Sequence, residues 1–218
     1  MTPTRAAIPD ETALGIDGHV LLPVVDRVLA LVLLLIAAPF MVGIGLILAA
    51  LARRSPLVAH LRIGRNGVPF WMLKFRTMWR GGSSRNRSWI ERLESREVLE
   101  IKPRLDPRVT SRFARYCRTY SLDELPQLIH AASGRMALVG PRPLTAFELD
   151  KYYGEKQLEI LALAPGLTGL WQVSGRNNLS YRRRVRYDMF LARHFGWKLY
   201  ASILWRTIPG VTSGIGAW

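Results

Sequence analysis

From Val28 to Ala52 the chain runs for 25 residues without a charge, VLALVLLLIAAPFMVGIGLILAALA. A helix needs roughly 20 predominantly apolar residues to cross a hydrocarbon core. The core helix of a soluble protein would usually keep a polar face, which this run lacks. A signal peptide fits poorly, because the run is too long and no basic region closely precedes it; Ala50-Leu51-Ala52 resembles a cleavage site only superficially. The segment reads as a membrane anchor. Pro39, near its middle, removes one backbone hydrogen bond and is expected to kink or break the helix. Such a helix can cross the bilayer, placing residues 1–27 outside, or enter and leave by one face, keeping them inside. Arg53, Arg54, Arg62 and Arg65 follow at once and, by the positive-inside tendency, place the rest of the chain in the cytoplasm.

The 218 residues suffice for one sizeable domain plus a short anchor, and no multi-span N-terminal region is expected. The expected organisation is a tail at 1–24, a membrane helix at 25–54 and a membrane-associated catalytic domain at 55–218. Net charge is +15. Residues 1–52 hold Arg5 and Arg27 against Asp10, Glu11, Asp17 and Asp26, a balance of −2 that leaves +17 on the remainder. That surplus calls for a polyanionic partner: nucleic acid, an anionic membrane face or phosphorylated substrates. The one cysteine, Cys117, excludes an intrachain disulfide and a cysteine-based zinc site. His19, His60, His130 and His194 show no ligand-like spacing, and none is assigned to a metal.

Within this basic domain, Ser121-Leu122-Asp123-Glu124-Leu125-Pro126-Gln127-Leu128 sets two adjacent carboxylates at an expected helix start. Ser-x-x-Glu is the spacing of a capping box, first-turn acids complement the helix dipole, and Pro126 is tolerated there. A well-capped helix explains the octapeptide as readily as a site does. A functional reading is available too, since a carboxylate there can attack phosphorus or help hold a divalent cation.

Residues 55–79 read as extended structure, with Asn66-Gly67 a hairpin signal and Lys74 and Arg76 on one strand face. Residues 81–88 read as a loop and 89–99 as an exposed charged helix. Residues 102–120 supply Arg104, Arg108, Arg112, Arg115 and Arg118 around a turn at Asp106-Pro107. A helix over 121–132 ends at Ser133-Gly134. Pro141 and Pro143 stiffen the backbone round Arg142, whose fixed fork suits phosphate oxygens, although an ordinary Pro-rich turn would look the same. A helix is expected over 147–163, a turn over 165–169, a short strand over 170–173 and a basic loop over 174–177. From Tyr181 the chain reads as amphipathic helix mixing arginines with aromatics. That mixture suits a membrane interface or single-stranded nucleic acid, and the anchor favours the interface.

These segments together resemble the bacterial sugar transferases, the small monotopic phosphoglycosyl transferases. The resemblance runs from about Val25 to the C-terminus. It rests on Lys74-Phe75-Arg76-Thr77-Met78, Ser121 to Leu128, Leu138-Val139-Gly140-Pro141-Arg142-Pro143, Pro165-Gly166-Leu167-Thr168-Gly169 and Gln172-Val173-Ser174-Gly175-Arg176, in that order behind one hydrophobic segment. It implies a helix-rich α/β fold with a small sheet, interfacial helices and one N-terminal re-entrant membrane helix at the bacterial inner membrane, the catalytic domain facing the cytoplasm. The implied reaction moves a sugar-1-phosphate from a UDP-sugar to polyprenyl (undecaprenyl) phosphate and releases UMP, the first membrane step of exopolysaccharide or other glycan assembly. By resemblance Asp123 is the nucleophile of a covalent phosphosugar intermediate, and Glu124, with Asp123, helps hold Mg2+. Lys74, Arg118 and Arg142 map to phosphate binding and Gln172 and Arg176 to the nucleotide end, with Arg76 a further substrate-binding candidate. Partners are then the UDP-sugar, polyprenyl phosphate and anionic lipids, not nucleic acid, with homodimerisation left open.

The chemistry is consistent with the charge pattern. A diphosphate repels an anionic nucleophile, and Mg2+ with clustered Arg and Lys would neutralise it; one such contact is typically worth ~10²–10³ in rate. Departures from the family pattern are Ala38 before Pro39 where serine is common, His60 for glutamine, Ser111 for glycine and Tyr200 for aspartate; Asp188 matches an acidic position. The alternatives are a non-catalytic membrane-tethered polyanion binder and a metal-dependent glycosyltransferase that moves the sugar alone.

Overall fold

A computed structural model of the chain describes residues 16–78, 90–93, 109 and 111–213. Helix α1 spans Ile16–Ala52 and contains both Pro23 and Pro39. It begins earlier than residue 25 and stays helical through Pro39, so the proline does not break it; its missing N–H leaves the Leu35 carbonyl without the usual helical donor. The middle of α1 exposes a broad apolar surface, with Leu35, Ile36, Phe40, Val42 and Leu46 each more than 60% accessible. By length and composition the stretch Leu21–Ala52 is long and apolar enough to cross a membrane.

Strands β1 (Leu57–Ile63) and β2 (Pro69–Phe75) form the expected antiparallel hairpin. Its turn places Asn66 and Gly67 at φ of 57° and 78°, left-handed positions that favour Asn and Gly. Strand β3 (Ile90–Leu93) pairs in parallel with β1, giving a sheet ordered β2-β1-β3. This corrects the expected charged helix over 89–99: Ile90–Leu93 is taken into the sheet because β1 offers an unpaired edge. The remainder of that segment, the 81–88 loop, and Arg104 and Arg108 lie outside the described residues.

Helix α2 (Arg112–Thr119) is capped by Ser111, whose hydroxyl accepts from the Ala114 N–H at 3.4 Å. The serine that departs from the family's common glycine thus serves as an N-cap. The expected helix over 121–132 is instead a 3₁₀ run, Leu122–Gln127, followed by α3 (Leu128–Ala132). Ser121 lies in the left-handed region at φ 57° and makes no side-chain cap bond, so the capping-box reading is wrong. Glu124 turns to a lysine instead of back to the Ser121 N–H. A true capping box occurs at α4 (Ala146–Tyr153), where Thr145 accepts from the Glu148 N–H at 3.1 Å and Glu148 Oε2 accepts from the Thr145 N–H at 2.8 Å.

The expected helix over 147–163 is divided into α4 and α5 (Gln157–Leu161) by a 3₁₀ turn at Gly154–Lys156, with Gly154 at φ 47°. The expected turn over 165–169 contains β5 (Gly166–Thr168), parallel to β4 (Ala137–Val139). The expected strand over 170–173 is a 3₁₀ turn, Gln172–Ser174, and Arg176–Asn178 forms another. Helices α6 (Tyr181–Arg193) and α7 (Trp197–Thr212) close the described chain.

Both halves of α1 pack on this body. Leu22 joins Val139, Leu191, Tyr200 and Ile203; Ala30 joins Leu128, Ala131 and Leu138; Leu48 joins Phe75, Val109 and Ala114. Asp26 is buried in α1 and accepts from the Leu138 N–H at 3.0 and 3.1 Å and from the Tyr200 hydroxyl at 2.8 Å. Tyr200 therefore ties α7 to α1; it is not among the residues that line the candidate site.

Candidate active site

Strand alternation sets the first wall. Residues paired across β1 and β2 share a face, and the register pairs Val58 with Lys74, His60 with Met72 and Arg62 with Phe70. Met72, Lys74 and Arg62 on that face line a cavity of about 360 Å³. The opposite wall is the 3₁₀ run, held to β2 because the Leu73 N–H donates to His130 Nε2 on α3 at 3.1 Å. Burial lowers the His130 pKa, which keeps the accepting nitrogen unprotonated.

Of the residues expected at a site, Lys74, Arg118, Asp123, Glu124, Arg142, Gln172 and Arg176 all line this one cavity. Arg76 does not. Strand β2 ends at Phe75, so the alternation that places Lys74 no longer governs Arg76. Its buried Nε donates to the Ser55 carbonyl at 2.8 Å, away from the cavity. Arg76 is corrected from a substrate contact to a tie between β2 and the segment after α1.

The Lys74 ammonium meets Glu124 Oε1 at 2.6 Å, with both side chains partly exposed to the cavity. Asp123 is 9% accessible, and its pKa is raised to about 6. Burial is the largest cause; Lys74 and Arg118 oppose it, and Glu124 adds to it. At neutral pH Asp123 is thus a mostly ionised carboxylate, poorly hydrated and facing cations. Nucleophilic groups gain reactivity under such desolvation.

Arg142 is placed by a close meeting of two glycine motifs. The Gly140 N–H donates to the Thr168 carbonyl at 3.0 Å, and the Gly166 N–H to the Pro141 carbonyl at 2.7 Å. A Cβ on Gly140 would collide with the Ala164 carbonyl oxygen, and one on Gly166 with the Gly140 nitrogen and the Thr168 oxygen. Behind Arg142 lies buried Asp188, bonded to the Tyr153 hydroxyl at 3.0 Å. Burial raises the Asp188 pKa to about 7, against the Tyr153 bond and the charges of Arg142 and Arg184. The Arg142 guanidinium lies 5.6 Å from the centre of the buried Trp171 ring, and that of Arg184 lies 4.9 Å from it.

Four polar atoms of the lining are buried with no partner among the described residues: Gln127 Nε2, Trp171 Nε1, Gln172 Oε1 and Arg176 Nη1. Unsatisfied buried groups are costly, and a cluster of them on one cavity marks a surface built for a polar ligand. Ser121 and Arg176 also hold left-handed φ values of 57° and 49° on the same lining, strain of the kind concentrated at binding sites. Gln127 and Trp171 escaped the sequence reading because each passes for an ordinary helix or core residue. In sequence, Arg62 reads as one of the charges beside the membrane. The strand register set by Asn66-Gly67 could have placed it on the face of Lys74.

Fold and site together describe a basic pocket built round a carboxyl pair, beside a long apolar helix. The chain belongs to the bacterial sugar transferase family, whose profile matches residues 18–214. It is 37% identical over 227 residues to the exopolysaccharide production protein ExoY of Sinorhizobium fredii, covering 99% of this chain and 96% of that protein. It is 36% identical over 210 residues to the UDP-glucose:undecaprenyl-phosphate glucose-1-phosphate transferase of Caulobacter vibrioides, covering 89% and 71%. With the UDP-galactose-lipid carrier transferase of Erwinia amylovora the identity is 39% over 182 residues, covering 75% of this chain and 35% of that protein. The chain thus spans about a third of that longer relative's length.

Proposed function

We propose that this chain transfers a sugar-1-phosphate from a UDP-sugar to undecaprenyl or a similar polyprenyl phosphate at the bacterial inner membrane, its catalytic domain facing the cytoplasm, in exopolysaccharide assembly. The observation that carries this reading is the buried Asp123 carboxyl, faced by Lys74 and Arg118 in a cavity whose further lining includes Arg142, Arg176 and unpartnered polar atoms. The names of the relatives supply the substrate classes.

In the first half-reaction an Asp123 oxygen attacks the sugar-bearing phosphorus. The P–O bond to the other phosphate breaks, its electron pair leaves with UMP, and the sugar phosphate stays on Asp123 as an acyl phosphate. In the second, an oxygen of the polyprenyl phosphate attacks that phosphorus and the Asp123 carboxylate departs, giving a polyprenyl diphosphate sugar. Lys74, Arg118 and Arg142 hold the phosphate oxygens, while Gln172 and Arg176 meet the nucleotide. One site then serves a water-soluble and a lipid substrate in turn.

No group of three or more potential metal-binding side chains occurs among the described residues. Two adjacent carboxylates nevertheless fit Mg2+, which usually takes one or two and completes its shell with water and substrate phosphates. Asp123 and Glu124 would hold it, and when bound it would neutralise diphosphate charge.

The test is purified, detergent-solubilised full chain with Mg2+, a panel of UDP-sugars and undecaprenyl phosphate, read by nucleotide release and lipid-linked product. UMP from one donor is expected, vanishing in Asp123→Asn while membrane attachment and folding persist. Release of UDP would identify transfer of the sugar alone and overturn the reading. Tolerance of Asp123→Asn would favour a non-catalytic polyanion binder.

A further inference from the structure

The cavity holds two groups of cations. Lys74 and Arg118 act on Asp123, whereas the principal charge acting on Arg62 is Arg142. On the register, Arg62 pairs with Phe70, four residues along β2 from Lys74. That separation is about 14 Å of strand. Arg62 and Arg142 therefore form a positive focus of their own on the far part of the same lining.

Three arginines here, Arg62, Arg142 and Arg184, face two acids. The acids felt by Arg62, Arg142 and Arg184 are Glu148 and Asp188. Glu148 is engaged in the cap of α4, and Asp188 accepts from Tyr153. Arg184 is engaged too, donating to the carbonyls of Leu179 and Asn177 at 3.1 and 3.4 Å. The Arg62 guanidinium makes one hydrogen bond among the described residues, from Nη1 to the Leu61 carbonyl at 3.0 Å. Most of its five N–H groups remain for something else. Burial and the neighbouring Arg142 push the Arg62 pKa down to about 10, a cost that an arriving anion would relieve.

We propose that Arg62, paired with Arg142, holds a phosphate group of a substrate at a second anion position in the cavity, apart from the phosphorus that Asp123 attacks. The assignment rests on the transfer reading above for the identity of the substrates, but not for the binding of phosphate. Two sources carry that chemistry: the nucleotide-side phosphate of the donor, and the phosphate of the lipid acceptor.

The experiment compares wild type, Arg62→Lys and Arg62→Gln as full chain in detergent. Binding of inorganic pyrophosphate is read first, from its concentration dependence in thermal melts. Arg62→Gln should weaken it ~10–100-fold, the range for one charge-assisted contact, and Arg62→Lys should retain part of the affinity. Ligand-free melting of the variants reports folding separately, and the lysine variant keeps charge and stem should glutamine disturb the strand. KM for UDP-sugar and for undecaprenyl phosphate is then measured. A rise confined to the first assigns Arg62 to the donor, and a rise confined to the second assigns it to the acceptor. Unchanged pyrophosphate affinity in a folded Arg62→Gln overturns the proposal, whether or not the wild type transfers sugar phosphate. A wild type that binds pyrophosphate through Arg62 but releases no UMP would support the site and remove only the transfer reading.

Discussion

At the scale of single residues, the cavity turns on one carboxyl whose surroundings pull in opposite directions. Burial raises the Asp123 pKa to about 6, above the ordinary value of 3.8, despite Lys74 and Arg118. If its carboxylate is the attacking form, kcat/KM for the donor should rise with pH up to about 6 and level off above it, with the inflection moving lower as Mg2+ held by Asp123 and Glu124 favours the ionised form. Activity that falls as pH rises through this range would count against Asp123 as the nucleophile. The linkage to stability has the opposite sense. The folded state holds this proton more tightly than the unfolded chain, so the group's contribution to stability is lost as pH rises from about 4 to 6. Asp123→Asn should therefore melt higher than wild type at pH 8, and this gain should disappear below about pH 4. Legibility at this scale depended on uniqueness. The Asp-Glu pair stands out in a basic domain, whereas Arg62 is one arginine among many, and only the strand register separates it from the rest.

At the scale of elements, the site depends on two short strands meeting with no room for a side chain. The glycines of Leu138–Pro143 and Pro165–Gly169 read in sequence as loop punctuation, and the turn expected over 165–169 followed from that. Their actual role is steric: β4 and β5 pair because Gly140 and Gly166 let the backbones approach, and that pairing orients Arg142. Gly166→Ala should accordingly lower stability by more than the ~1–3 kcal/mol typical of overpacking, because the added methyl meets backbone rather than a yielding side chain. Thermal melts with parallel UMP assays check this; a soluble Gly166→Ala with wild-type melting and rate would refute the packing argument. Local signals did identify the hairpin, since Asn66-Gly67 supplies left-handed positions directly. They misread Ile90–Leu93 and the expected Ser121–Glu124 cap, where a strand edge distant in sequence pairs with the first and a lysine fifty residues before Glu124 takes its carboxylate.

At the scale of the molecule, the position of α1 bears on how the chain meets a membrane. The apolar run was legible at once, but its residues left open whether the helix crosses the bilayer. The packing favours one answer. Leu22 and Leu48 are 26 residues apart, about 39 Å of helix, yet both are buried against the same body, as are Asp26 and Ala30 between them. Crossing would carry the first half of α1 away from that body and strip Asp26 of the Leu138 and Tyr200 donors. A hydrogen bond to a charged acceptor contributes about 1.5–3 kcal/mol, and the Leu138 N–H would be left without its acceptor. A helix that dips in by its exposed middle, near Leu35 to Leu46, keeps all these contacts and still places its apolar surface in lipid. Both ends of the chain should then lie on the cytoplasmic side. Cys117 is buried, so single cysteines introduced by Thr12→Cys and Lys151→Cys can report each side. In intact cells both should resist a membrane-impermeant maleimide and react only after the inner membrane is opened. Labelling of Thr12→Cys from outside, with Lys151→Cys protected, would mean that α1 crosses the bilayer and that Asp26 gives up its partners to do so.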